Sequence, residues 1–196
     1  MKKYIGLVLV AMSGCILTVN AQQSFSYKNP LLPTELRVND LLGRMTLEEK
    51  IAQIRHLHSW DVFDGQILNQ EKLDKMCGGI GYGFFEGFPL TAASCRKTFR
   101  EIQTYMVEKT RLGIPGFPVA ESLHGVVHEG TTIYPQNIAM GSTFNPELAY
   151  EKTKHIAGEL NTMGVKQVLA PCIDVVRDLR WGRVEESFGE DPFLCS

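Results

Sequence analysis

Gln167-Val-Leu-Ala-Pro-Cys-Ile-Asp-Val-Val-Arg-Asp-Leu-Arg-Trp-Gly-Arg-Val-Glu-Glu-Ser-Phe-Gly-Glu-Asp-Pro192 is the stretch on which the fold turns. Its first part, Gln167 to Ile173, is short, mostly apolar and placed just after Gly164, the pattern of a buried parallel strand. From Asp174 the chain reads as loop. Arg177, Asp178, Arg180, Arg183, Glu185, Glu186, Glu190 and Asp191 crowd around Trp181 and Gly182, and Pro192 closes the segment. That is too charged for a core and too aromatic for a linker. An indole offers a flat apolar face to a sugar ring, and guanidinium forks and carboxylates bond hydroxyls in fixed geometry, so the combination suits carbohydrate. The other reading is a solvated loop held by arginine–carboxylate pairs, and residue types alone leave both open.

Upstream, helical and strand-like patterns alternate. Thr46-Leu-Glu-Glu49 is a capping box that opens a helix with Leu47, Ile51 and Ile54 on one face. Cys77 to Phe85 reads as a glycine-softened strand, Ser94 to Thr110 as an amphipathic helix carrying Phe99, Ile102 and Met106, and Gly116 to Ala120 as the next strand. Asn145-Pro146 supplies an N-cap and a first-turn proline for a helix through Leu148, Lys152, Ile156 and Leu160 that stops at Gly164. With no internal repeat or low-complexity linker, this β-α-β-α-β order implies right-handed crossovers and a parallel sheet in an α/β fold.

The 196 residues carry 44% hydrophobic and 21% charged residues with a net charge of -2, an ordinary globular balance that gives no reason to expect nucleic acid. Residues 1 to 21 differ. Lys2 and Lys3 precede an apolar run from Ile5 to Met12, continued by Ile16 and Leu17, and Val19-Asn-Ala21 offers small residues for a signal peptidase, so 1–21 is expected to be a signal peptide and 22–196 the domain. Met12-Ser-Gly-Cys15 is an alternative end that resembles a bacterial lipoprotein box and would make Cys15 a lipid anchor. A transmembrane span is not expected, because Ser13, Gly14 and Asn20 interrupt a short apolar run. The protein is therefore read as exported, either periplasmic or an outer-membrane-attached lipoprotein. Cys77, Cys95, Cys172 and Cys195 show no paired spacing and read as buried small residues, and His56 and His58 read as flanking a helix end, so no metal site is expected.

Four motifs occur in one order: Leu41 to Ile51, Arg111-Leu-Gly-Ile-Pro115 leading to Glu121-Ser-Leu-His-Gly125, Thr131-Thr-Ile-Tyr-Pro-Gln136 leading to Thr143-Phe-Asn-Pro-Glu147, and Asp174 to Pro192. Together they resemble the N-terminal domain of glycoside hydrolase family 3. The resemblance implies a (β/α)8 barrel of the TIM type, here partial and truncated after about three to four βα units, since a barrel usually needs ~250 residues. On that reading an open strand edge after residue 173 would make the chain poorly soluble or without a unique fold alone.

The resemblance also implies a β-glycosidase that cleaves terminal β-linked sugars by retaining double displacement, without metal or organic cofactor, acting on an oligosaccharide or glycoside substrate. Glu121 matches the acidic residue that bonds glycone hydroxyls, and Arg183 the arginine that contacts the same sugar. Glu121 could alternatively pair with Arg111. His124 is expected to brace its loop, Trp181 to wedge its loop or stack on sugar, with the wedge favoured, and Asp191 to support the site. Glu185 and Glu186 are expected to hold Arg180 and Arg183. Glutamate at 121, where many glucoside-acting members have aspartate, resembles the xylosidase-like branch and favours xylosides over glucosides. No carboxylate within 22–196 matches the family's nucleophile motif, and the lysine–histidine pair that follows the Arg183 motif in the family is absent. The catalytic pair is therefore expected in a missing C-terminal part of the same enzyme. The alternative is a non-catalytic truncated product or a sugar-binding remnant.

Overall fold

The computed structural model describes residues 26–87 and 91–196. The expected signal peptide and Cys15 lie outside the described residues. The chain divides into two units, the first ending at Arg44 and the second running from Met45 to Ser196.

In the first unit a 3-10 turn, Ser26–Lys28, meets helix α1, Thr34–Arg44. Asp40 organises the meeting. One carboxylate oxygen accepts from the Tyr27 backbone N–H at 3.0 Å and the other from Arg44 Nε at 2.9 Å, while Arg37 Nε donates to the Tyr27 carbonyl at 2.9 Å. These bonds hold the Asp40 carboxyl below its ordinary pKa, the Arg44 bond most of all.

The second unit is built on four parallel strands, β1 (His56–His58), β4 (Phe84–Glu86), β5 (Phe117–Glu121) and β6 (Gln167–Leu169), hydrogen-bonded in that order. Between β1 and β4 lie helix α3 (Ser59–Val62), a small antiparallel pair of β2 (Phe63–Asp64) and β3 (Ile67–Leu68), and helix α4 (Gln70–Cys77). Helix α5 (Ala92–Lys109) joins β4 to β5, while α6 (Asn137–Gly141) and α7 (Pro146–Met163) join β5 to β6. Chain order equals spatial order, so each helical crossover adds one strand to the same side, as in the wall of a barrel.

Strand alternation sets the two faces. Leu57 and Phe85 are register partners, fully buried, and they pack with Phe99, Ile102 and Met106 of α5 and Ile156, Leu160 and Met163 of α7. Burying a side chain of this size contributes roughly 1.5–3 kcal/mol. The opposite face carries His56, Phe84 and Phe117 as a row of stacked rings, 5.0 and 5.9 Å between centroids, with Phe117 exposed. This is the face on which a barrel interior would lie.

Helix ends follow the sequence signals. The Thr46–Glu49 box closes in both directions, with Glu49 N donating to Thr46 Oγ1 at 3.3 Å and Thr46 N to Glu49 Oε2 at 2.8 Å. Asn145 accepts from Leu148 N at 3.0 Å to cap α7, and Gly164 ends that helix in the left-handed conformation. The expected helix over 94–110 is α5 within two residues.

Three expectations need correction. The helix after Thr46, α2 (Leu47–Ala52), is one and a half turns long and buries Glu49 and Ala52, whereas Leu47, Ile51 and Ile54 stay exposed. Its orientation is set by an ion pair of Glu49 rather than by an apolar stripe. The strand read over 77–85 is only Phe84–Glu86, because Cys77 still belongs to α4 and the glycines form a turn. A Cβ at Gly83 would stand 1.9 Å from the Gln53 carbonyl oxygen, so this glycine lets the chain pass the end of α2. The strand read over 167–173 ends at Leu169 and is exposed rather than buried, because β6 has a neighbour on one side only.

Candidate active site

A parallel α/β sheet gathers functional side chains at the carboxyl ends of its strands. Here those ends are His58, Glu86 and Glu121, and all three line one cavity of about 390 Å³ together with Trp60, His124 and His128. Val119, Met163 and Val165 give it an apolar floor. Polar groups that converge over an apolar base suit a small polar ligand.

Glu121 is the last residue of β5, exposed, and has no hydrogen bond to Arg111. The alternative role as partner of Arg111 goes instead to Glu49, which takes Arg111 Nε at 2.7 Å on one oxygen and Nη2 on the other. The Arg111 guanidinium holds the buried Glu49 carboxyl below its ordinary pKa, against the opposing effect of burial. Glu121 is thereby left available to a ligand.

The loop after β5 is held from its backbone. Tyr134 N donates to the His124 carbonyl at 2.8 Å, and Gly125 has φ of 108° with a would-be Cβ only 2.3 Å from the Thr132 carbonyl oxygen. The main chain at His124 is thus tied to Tyr134 while the His124 side chain lines the cavity. Among the described residues its buried Nδ1 and the Ser122 hydroxyl have no hydrogen-bond partner, so two polar atoms at the site can take one from a ligand.

The Arg183 loop is ordered by short-range ion pairs. Arg183 Nε donates to Glu186 Oε2 at 2.7 Å, and its Nη2 bonds the same oxygen, which raises the arginine pKa further. Glu121 is close enough to add to that rise, although Arg183 does not line the cavity. Arg180 is held by Asp178, with Nε 3.0 Å from both carboxylate oxygens, rather than by Glu185 or Glu186. The aspartate wins because the turn from Asp178 to Trp181, closed by Trp181 N to Asp178 O at 3.0 Å, folds the two side chains together. Trp181 is half-buried in this turn, and Asp191 caps helix α8 (Pro192–Cys195) by accepting from Phe193 N at 2.8 Å. Neither lines the cavity that holds Glu121.

Below the loop runs a buried polar chain. Lys152 Nζ donates to Asn137 Oδ1 at 2.8 Å and to the Pro135 carbonyl at 3.2 Å, and Asn137 Nδ2 donates to the Glu186 carbonyl at 2.9 Å. Burial lowers the Lys152 pKa. Helix α7 is thereby tied to the loop that carries Arg183.

Sequence reading missed His58, Trp60 and Glu86. His56 and His58 do flank a helix end, His58 being the N-cap of α3, but they also form strand β1, and their alternation, His-x-His, is a strand period that puts both rings on one face. Among the described residues no group of three or more His, Cys, Asp or Glu is placed to hold a metal ion, and no helix is long and apolar enough to cross a membrane. Cys77, Cys95 and Cys172 are buried as expected, with burial pushing Cys77 up to about 12 and Cys95 up to about 11, while Cys195 is only half-buried.

The chain is 34% identical over 179 residues to a putative beta-xylosidase of Formosa agariphila, with 89% of this chain and 24% of that protein covered. It is 31% identical over 196 residues to the periplasmic beta-glucosidase of Salmonella typhimurium, with 99% of this chain and 24% of that protein covered. It thus spans about a quarter of the length of these curated relatives. Among solved structures, a β-glucosidase from Erythrobacter marinus superposes with a TM-score of 0.74 at 30% identity, covering 89% of this chain and 23% of that one. The β-glucosidase from Listeria innocua in complex with isofagomine gives a TM-score of 0.67 at 34% identity, covering 84% and 22%. The four strands and their helices therefore form a partial barrel of the TIM type. With residues 46–196 matching the glycosyl hydrolase family 3 N terminal domain, the chain belongs to that family.

Proposed function

We propose that this chain supplies the glycone-binding part of a β-glycosidase that hydrolyses terminal β-linked sugars, with xylosides favoured over glucosides. The observation that carries this reading is the Glu121 carboxylate at the end of β5, lining a cavity with an apolar floor next to the Ser122 hydroxyl and His124 Nδ1, which are unpartnered among the described residues. A carboxylate with open lone pairs accepts hydrogen bonds from two neighbouring sugar hydroxyls, and Arg183, within electrostatic reach of Glu121, donates to the same ring. Relatives named as a xylosidase and as glucosidases support the substrate class.

Retaining hydrolysis needs a carboxylate nucleophile and a second carboxyl group as acid and base, about 5–5.5 Å apart. We assign neither to the residues described. Glu49, Asp178 and Glu186 are engaged by arginines, and Asp191 by a helix cap. Both groups are proposed to come from sequence outside 22–196, so that these residues alone bind sugar without cleaving it. A non-catalytic product is the second reading, and the unclaimed Glu121 serves it equally as a binding residue. Export through residues 1–21, to the periplasm or the outer membrane, belongs to the same proposal.

The test is hydrolysis of aryl β-xyloside and β-glucoside by the completed enzyme, carrying the proposed catalytic pair, and by its Glu121→Asp variant. One methylene of reach is worth roughly 1–3 kcal/mol of discrimination, so the variant is expected to shift the ratio toward glucoside by about tenfold or more. An unchanged ratio would remove Glu121 from glycone recognition, and activity of residues 22–196 alone would overturn the placement of the catalytic pair.

A further inference from the structure

On β4 and at and just after the end of β1, the two strands that precede β5 in the sheet, the cavity is lined by three further residues that no motif of the chain announced. Trp60 stands in the first turn of α3, directly after β1, with 68% of its surface exposed. Its indole lies flat on the His58 imidazole, with centroids 4.3 Å apart and planes 7° from parallel. An added Cβ at Gly87 would come within 3.4 Å of the indole edge, so the glycine leaves the ring its place while His58 steadies one face. Glu86 is the register partner of His58, and its carboxylate oxygens lie 3.1 Å from His56 Nδ1 and 3.2 Å from His58 Nδ1. Neither contact is aligned as a hydrogen bond, and both ring nitrogens are buried without one among the described residues.

We propose that His58, Trp60 and Glu86 form a second sugar subsite of the cavity, which holds the ring adjacent to the one bound at Glu121. The inference rests on the glycosidase reading and extends it to the neighbouring sugar. The strand order places β1 two neighbours from β5, about 10 Å at the usual strand spacing, so the β1 side of the cavity lies beside the ring bound at Glu121. The open face of Trp60 fits the apolar C–H face of a pyranose, and the His58 stack fixes the indole plane before the ligand arrives, which reduces the ordering cost of binding. Glu86 accepts hydroxyl hydrogens at the same wall. A lone exposed tryptophan needs no explanation. One laid flat on a histidine, at a cavity with a carboxylate beside it, is a sugar platform.

Calorimetric titration of the protein, which on this reading binds sugar without cleaving it, tests it, with a methyl β-glycoside as the one-ring ligand and the matching β-linked disaccharide as the two-ring ligand. Trp60→Ala is expected to weaken the disaccharide about tenfold more than the methyl glycoside, Trp60→Phe to recover most of that loss, and Glu86→Gln to weaken the disaccharide selectively. Equal weakening of both ligands by Trp60→Ala, or none, would overturn the subsite while leaving Glu121 in place. Failure of the unaltered protein to bind either ligand would instead strike the glycosidase reading itself, and the subsite with it.

Discussion

Replacing Arg111 by methionine is expected to destabilise the fold by about 2–3 kcal/mol at neutral pH, intermediate between the 3–5 kcal/mol typical of breaking a buried pair and the 0–1 kcal/mol of a surface pair. The intermediate value follows from the asymmetry of this one. The Glu49 side chain is 6% exposed and that of Arg111 54%, so substitution strands a buried carboxylate while the lost cation was half in water. Glu49 keeps its bond from Thr46 N at 2.8 Å, which limits the loss. Because the folded Glu49 pKa is depressed, the contribution of the pair is present above the ordinary carboxylate range and is lost as pH falls through the folded pKa. Urea unfolding of the protein, Arg111→Met, Glu49→Gln and the double variant would measure the coupling. The gap between the protein and Arg111→Met should therefore narrow as pH falls below the ordinary carboxylate range and through the depressed folded pKa. A loss under about 0.5 kcal/mol, or one equally large in acid, would refute the assignment of α2 to this pair.

Gly125→Ala should cost about 2 kcal/mol or more and disturb the His124 loop, because it adds strain at φ of 108° to a contact 2.3 Å from the Thr132 carbonyl oxygen. Thermal melting reads the first effect and sugar affinity the second. Lys152→Met should destabilise by about 1–3 kcal/mol, since the Asn137 and Pro135 oxygens lose their donor. The folded Lys152 pKa is lowered, so the unfolded chain binds the extra proton and the lysine's own burial penalty fades as pH rises through the folded pKa; urea unfolding against pH checks this. Thiol titration at mildly alkaline pH should label Cys195 first and leave Cys77 and Cys95 untouched until unfolding, given their burial and raised pKa values.

How much of this was legible in the sequence depended on whether the signal was local. The capping box at Thr46, the Asn145-Pro146 start of α7 and the 92–109 helix are decided within a few residues, and all three were readable. Strand β1 was not, because three residues, His-Leu-His, are too short a window for a period. The exposed face of α2 was misread for a different reason. Leu47, Ile51 and Ile54 form a helical stripe, but the orientation is fixed by Arg111, 62 residues away in sequence. At the site, Glu121 and Arg183 came from motif resemblance, whereas the wall of His58, Trp60 and Glu86 arises only when β1 and β4 pair. Stacking on sugar is the less favoured of two readings of Trp181 in the sequence; the charges around it pair with one another within the loop, and the cavity that holds Glu121 is lined by the other tryptophan.

The most direct measurement is the structure of the protein with a bound pentose or hexose. The sugar should occupy the cavity at the ends of β1, β4 and β5, with two ring hydroxyls within hydrogen-bond distance of the Glu121 carboxylate. A sugar bound elsewhere, or in the cavity without touching Glu121, would contradict the account.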